Sequence, residues 1–189
     1  MQISRSQLLF PFLLIVVFLS CNDKGHYDII IRNGQVIDGT GSQSLSTDIG
    51  IINDEIVKIT NLASATADKI IDATDRIVCP GFVDIHAHLE PIFSLNTCES
   101  HLRQGITTAL GGPDGRGPLP FGKYVDSLAT KGVGMNVGFL CGHNSIRAEV
   151  MELENRAPTS DELALMKAHV DRSMDEGAFG ISTGLKYLP

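Results

Sequence analysis

The chain has 189 residues, 43% hydrophobic and 20% charged, which excludes a disordered polyelectrolyte and supplies enough apolar side chains for a buried core. Its formal net charge of −7 excludes the basic footprint of a nucleic-acid-binding protein. Of its four cysteines, Cys21 closes the N-terminal apolar segment; the other three are an odd number that cannot form a closed disulfide framework, and their spacing does not suit a zinc finger.

Residues 1–20 are not fold material. Arg5 is the lone charge ahead of an apolar run over 8–19, and Ser20-Cys21 follows at once. That order describes a secretory signal, and the run is short for a membrane span. A Cys directly after the cut resembles the bacterial lipoprotein signal, although Phe18 stands where Leu is usual. The expectation is a lipidated Cys21, a polar tether over 21–26, and a protein held at the membrane facing the periplasm or the cell exterior. Its contact with the membrane is then through the lipid alone. The alternative is a plain signal peptide in which Cys21 is incidental.

From Tyr27 the pattern becomes short β runs broken by turn residues. Strands are expected over 27–32, 35–38, 48–52, 55–59, 69–73 and 76–79, with Asn33-Gly34 and Asn53-Asp54 as turns and a loop over 39–47. They define a domain over 27–80 that reads as a small sandwich or barrel-like sheet. After Pro80-Gly81 the period changes. A strand over 82–85 ends in His86-Ala87-His88, and helix-like residues follow near 97–104. A strand over 105–110 is closed by Gly111-Gly112-Pro113-Asp114-Gly115, and 121–131 reads as a helix. A third strand over 135–140 runs into Cys141-Gly142-His143-Asn144. Thr159-Ser160-Asp161-Glu162 starts a long helix carrying Leu163, Met166, Val170 and Met174 at helical spacing, and Gly177 ends it. Residues 178–183 form a fourth strand. Four alternations of strand and helix predict parallel β/α units, in a barrel rather than an open sheet.

His86-Ala87-His88 is the sharpest chemical feature. Residues i and i+2 of a strand project to one face, so two imidazoles at a strand's C-terminal end can share one divalent ion. In a β/α barrel that end is the mouth of the active site. Asp114, between Pro113 and Gly115, reads as a turn former, with metal ligation as the alternative. Glu90 is a loop carboxylate or a support to the His pair. Glu149, Glu152 and Glu154 read as a solvated helical face, and Cys79, Cys98 and Cys141 as buried apolar residues. His101 and His169 carry no ligand pattern.

The segment Pro80-Gly81-Phe82-Val83-Asp84-Ile85-His86-Ala87-His88 resembles the metal-binding first strand of the amidohydrolase superfamily. Four further segments resemble its N-acyl-D-amino-acid deacylase (D-aminoacylase) branch. They are Gly105-Ile106-Thr107-Thr108; Gly111 to Gly115; Gly142-His143-Asn144 with Arg147; and Glu176-Gly177-Ala178-Phe179-Gly180-Ile181-Ser182-Thr183-Gly184-Leu185. The opening Asp28-Ile29-Ile30-Ile31-Arg32-Asn33-Gly34 is typical of the superfamily's small β-domain. The resemblance covers 27–189.

It implies an α/β fold: the first half of a metal-dependent (β/α)8 barrel over 81–189, preceded by part of a β-sandwich. It also implies one or two divalent ions, with zinc expected, held by His86 and His88. Lys186, after the fourth strand, matches the lysine that several branches carry as a carbamate bridging two metals. An ammonium repels a cation, whereas a carbamate offers it two anionic oxygens. The alternative for Lys186 is a substrate carboxylate contact or a solvated side chain. Better-known D-aminoacylases carry a Cys ligand near the end of the second strand; here that place falls close to Asp114, which leaves the bridging group open. His143 and Arg147, expected on a loop after the third strand, are candidate substrate contacts. The implied reaction is hydrolysis of the amide bond of an N-acyl amino acid or dipeptide-like small molecule. The alternatives are cyclic amide hydrolysis, as in dihydropyrimidinases and dihydroorotases, and a non-catalytic lipid-anchored binding role. The family's proton-carrying Asp follows the eighth strand, so no catalytic residue is expected before Pro189. A barrel needs about 200 residues or more, so the chain is expected to be an N-terminal fragment, poorly stable and nearly inactive alone.

Overall fold

The computed structural model describes residues 24–187; the expected signal segment and Cys21 lie outside the described residues. The chain divides into two units between Pro80 and Gly81, where the Pro-Gly break predicts a boundary.

The described strands of the first unit form one mixed five-stranded sheet: β1 (His26–Val36), β2 (Leu45–Ile52), β3 (Glu55–Thr60), β4 (Thr66–Asp72) and β5 (Ile77–Val78). The order is β3-β2-β1-β4, with β5 also on β1. β1 and β2, and β2 and β3, run antiparallel; β4 and β5 lie parallel to β1. A second sandwich layer is absent among the described residues, and Ile56, Val57, Ile59, Ile70 and Ile71 are exposed. Asn53 and Asp54 both have positive φ, as the tight turn of a right-twisted hairpin requires.

Asn33-Gly34 departs from expectation. It does not turn the chain; it makes a bulge inside the single strand β1, where the register to β2 shifts between Ile31 and Gly34. Asn33 takes φ 61°. Its N–H donates to Asp48 Oδ1 at 2.9 Å, while the other oxygen of that buried carboxylate accepts from Leu62 N–H at 2.8 Å. The bulge lets β1 exchange one parallel partner, β4, for another, β5. A Cβ at residue 34 would stand 2.6 Å from Val78 Cγ2, so glycine is needed for the close approach. Tyr27, Ile30, Leu62 and Ala65 form this unit's core.

The second unit opens with three parallel strands in the order β6 (Phe82–Asp84), β7 (Ile106–Gly111) and β8 (Asn136–Phe139). The third expected strand is split at Leu140. Its continuation, β9 (Cys141–Gly142), pairs in parallel with β10 (Ile181–Ser182). Among the described residues four strand positions and the three helical connections between them are present, half the strands that close an eight-stranded barrel. The relation of strands to helices matches the reading from sequence.

α1 is a single turn (Glu99–Leu102), and α2 (Phe121–Lys131) has the expected bounds. Phe121, Tyr124, Val125 and Leu128 share one helical face and pack into the core with Ala109, Met135, Phe139 and Cys141. Full burial of a side chain such as Phe121 contributes roughly 1.5–3 kcal/mol. Tyr124 stands edge-on to both Phe93 and Phe139, with ring centroids 5.1 and 5.2 Å apart. Gly132, at φ 76°, ends the helix.

Residues 143–151 form a helix, α3 (His143–Met151), where the sequence suggests a loop carrying His143 and Arg147. It has no side-chain cap, so the local signal for a helix start is missing. α4 (Ser160–Asp175) starts as expected. The Thr159 hydroxyl accepts from Glu162 N–H, and the Glu162 side chain accepts from Thr159 N–H. Its apolar stripe is narrower than its spacing suggests: Met166 is buried, but Leu163 and Met174 are exposed. Cys98 and Cys141 are buried as expected; Cys79 is exposed, a departure that follows from its place just after an edge strand.

Arg156 hydrogen-bonds the Glu162 carboxylate, and together with the cap bonds from Thr159 this lowers the Glu162 pKa from its ordinary 4.5 to about 2. The pair therefore stabilises the fold above the unfolded pKa, and that contribution is lost as pH falls through the window from about 4.5 to about 2. Acid titration of thermal unfolding checks this: Glu162→Gln is expected to flatten the loss of stability in that window. Thr159→Ala is expected to cost about 1 kcal/mol in urea unfolding.

Candidate metal centre

Parallel pairing places chemistry-bearing residues at one edge of the sheet, beyond the C-terminal ends of β6 and β7. Past the end of β6, Ala87 N–H still donates to Leu110 O at 3.0 Å. Ala87 and Leu89 are buried and His86 and His88 are exposed, a two-residue alternation that begins at the bend over Ile85 and His86. The two imidazoles consequently leave the same face, with ring centroids 5.7 Å apart. His86 N–H donates to Asp84 Oδ1 at 3.0 Å, which holds the start of this segment.

A third group joins them. Asp114, in the turn after β7, brings Oδ2 to 3.5 Å from His86 Nε2 and 3.5 Å from His88 Nε2. The three ligand atoms lie within 4.8 Å of one another. These separations are longer than a charge-assisted N–H···O⁻ hydrogen bond, about 2.8 Å. They match the roughly 3.4 Å expected between two ligands each about 2.1 Å from a shared tetrahedral ion. Two imidazole nitrogens and a carboxylate oxygen are a donor set suited to a divalent ion such as zinc, so the residues fit a metal.

His88 is supported from behind. Its Nδ1 lies 3.2 Å from Glu90 Oε1, which leaves Nε2 for the cluster. A carboxylate on the remote nitrogen fixes the ring and raises its basicity. The Glu90 carboxyl is held below its usual range, first by a bond from its own backbone N–H. Partial burial opposes that, while the His88 bond and the His88 and Arg116 charges add to it. Glu90, Arg116, Tyr124 and Phe139 border a cavity of about 280 Å³ beside the cluster. Burial, and then the Glu90 charge, push the Tyr124 hydroxyl up.

Asp114 reads as a turn residue in the sequence, and it is one, with φ 57°. Its place at the His pair is tertiary. Gly115, at φ 80°, accepts at its carbonyl from Asn144 N–H at 2.9 Å and Ser145 N–H at 3.1 Å, both in the first turn of α3. The loops here touch backbone to backbone. A Cβ on Gly142 would stand 2.1 Å from Gly117 N and 2.3 Å from Gly115 O. One on Gly184 would stand 2.0 Å from Asp114 O.

The other expected residues are placed differently. Lys186 is exposed, in the turn after β10. His143 and Arg147 line a cavity of about 220 Å³ with Asn144, Gly184, Leu185 and Tyr187. His143 Nδ1 and Asn144 Oδ1 are buried there without a partner. Arg147 is not a free guanidinium: Nη2 donates to Glu154 O and Arg156 O, each at 2.8 Å, and Nη1 to Met151 Sδ at 3.3 Å. It staples α3 to the connection that follows it.

No protein-family model matches the chain. Curated relatives do. A D-aminoacylase of Alcaligenes xylosoxydans xylosoxydans is 30% identical over 90% of this chain and 40% of its own length. An N-acyl-D-glutamate deacylase of the same organism is 32% identical over 86% of this chain and 38% of its own length. Among solved structures, the N-acyl-D-glutamate deacylase of Bordetella bronchiseptica, complexed with zinc and a phosphonate inhibitor, superposes with TM-score 0.81 at 30% identity. That match covers 88% of this chain and 40% of the other. D-aminoacylase, described with a binuclear metal centre, gives TM-score 0.79 at 30% identity, covering 85% of this chain and 39% of that one. An L-hydantoinase of Arthrobacter aurescens shares the fold at TM-score 0.57 and 18% identity. The chain thus spans about two fifths of the length of the curated relatives it matches first.

Because three backbone segments meet without side chains between them, Gly142→Ala is expected to cost about 1–3 kcal/mol as an overpacking change. Urea unfolding measures that cost, and the imidazole NMR shifts of His86 and His88 are expected to move with it.

Proposed function

We propose that this chain, a homologue of the D-aminoacylases over the segment it spans, carries part of a hydrolytic site, and that the whole protein hydrolyses the amide bond of N-acyl amino acids, of D configuration, with a divalent metal. The observation that carries the reading is the convergence of His86, His88 and Asp114. We assign all three as ligands, with zinc as the ion. When bound, the ion polarises the amide carbonyl and lowers the pKa of water to about 7.

The chain's own residues orient the ligands and shape the space around them. His86 and His88 turn Nε2 toward Asp114, and Glu90, 3.2 Å from His88 Nδ1, would orient that ring with Nε2 toward the ion. Asp114 supplies the anionic charge that a cationic site requires, in the place where the better-known relatives are expected to have a thiolate. Lys186, after the C-terminal end of β10, is where a carbamate would add a further anionic ligand. The cavity bounded by His143, Asn144 and Arg147 receives part of the substrate, with Arg147 shaping it from its tie to Glu154 and Arg156. The proton for the leaving amine comes from a group beyond these residues. Similarity to a dihydroorotase of Solibacter usitatus covers only 40% of this chain, so the deacylase reading has the broader support over cyclic amide hydrolysis. On the N-terminal motif, we propose that Cys21 is lipidated and that the protein is exported and anchored.

Zinc titration of the purified chain is expected to give stoichiometric binding that His86→Ala abolishes; binding unaffected by that change would rule out the assigned ligands. Bicarbonate-dependent uptake lost in Lys186→Ala tests the carbamate. For the full-length protein, release of acetate from N-acetyl-D-amino acids is the expected turnover, and indifference to chelators would contradict the mechanism. In a bacterial host, partition of the native chain into detergent, lost in Cys21→Ser, reports the anchor.

A further inference from the structure

We propose that Ser182 is a positioning residue that aims Asp114 at His86 and His88. The proposal rests on the reading of those three residues as metal ligands.

Ser182 ends β10 and is buried. Its hydroxyl makes two bonds to the turn that carries Asp114. It accepts from Gly115 N–H at 3.0 Å and donates to Gly112 O at 2.6 Å. Those partners lie 67 and 70 residues away and flank Asp114 on either side. One side chain therefore ties the residue before the Pro113–Arg116 turn to Gly115 within it. The turn needs such a clamp. Asp114 and Gly115 both hold positive φ, which disfavours a residue with a Cβ such as Asp114 and persists only when the surroundings over-determine it. The remaining hydrogen-bonding capacity of Gly115 is taken up by α3, at its carbonyl.

A hydroxyl is what this geometry uses. A hydroxyl can accept and donate at once, which neither a carboxylate nor an ammonium does. A bland alternative is a buried hydroxyl that happens to find two partners. That alternative predicts a loss of stability alone. Action through Asp114 predicts a loss of metal affinity that depends on the Asp114 carboxylate.

The experiment is zinc affinity of the purified chain, by competition with a chromophoric chelator, with circular dichroism reporting the fold. Ser182→Ala is expected to weaken zinc binding about 10–100-fold, the range for groups that orient a ligand. In an Asp114→Ala background the same change is expected to alter affinity by less than about twofold, since the two act as one unit. Ser182→Thr and Ser182→Val share one shape and differ in the hydroxyl, so they separate hydrogen bonding from packing if the alanine variant does not fold. The Thr variant is expected to bind zinc more tightly than the Val variant by a similar factor. Equal affinities in that pair, or equal weakening by Ser182→Ala with and without Asp114, would overturn the proposal while leaving the metal ligands intact. A native chain that binds no zinc would overturn the ligand assignment itself.

Discussion

The site depends on the parallel pairing of β6 with β7, carried beyond the regular strand by the bond from Ala87 N–H to Leu110 O. This bond ties Ala87 to the end of β7 beyond the bend at Ile85 and His86. Once Ala87 is buried, the two-residue period sends His86 and His88 outward together. The same pairing sets the end of β7 beside them, so the turn after β7 reaches the imidazoles. A slip of one residue would bury the imidazoles and expose Ala87, and no cluster would form.

The surroundings of that pairing are organised around close backbone approach. Gly112, Gly115, Gly117, Gly142 and Gly184 lie where any side chain would meet another segment's main chain or Asn144. This accounts for the density of glycine at the strand ends. It also explains how an aspartate in a left-handed conformation is retained: its neighbours are bonded to α3 and to β10, so the turn has few alternatives. The sheet below is filled by Ala109, Phe121, Phe139 and Cys141, a floor from which the polar groups project.

Much of the fold is legible in the sequence because it is written in local rules. The change of period at Pro80-Gly81, the bounds of α2, the capping box at Thr159 and the tight turn at Asn53-Asp54 each follow from neighbouring residues. Asn33-Gly34 misleads because the same left-handed preference serves a turn and a bulge; the choice is made by Asp48 and Leu62, residues distant in sequence. The start of α3 at His143 escapes the sequence because it carries no side-chain cap and begins directly from a strand. Arg147 reads as a candidate substrate contact in the sequence, and only the fold shows its Nη2 bonded to two main-chain carbonyls.

By itself the sequence determined the class of chemistry: a His-x-His pair at a strand end, alternating β/α units, and motifs resembling a hydrolase family. These are legible because periodicity acts over two to four residues. The tertiary structure alone decided that Asp114 joins the His pair and that Ser182 bonds the chain on either side of it. Those partners meet across tens of residues, through hydrogen bonds that no local pattern encodes.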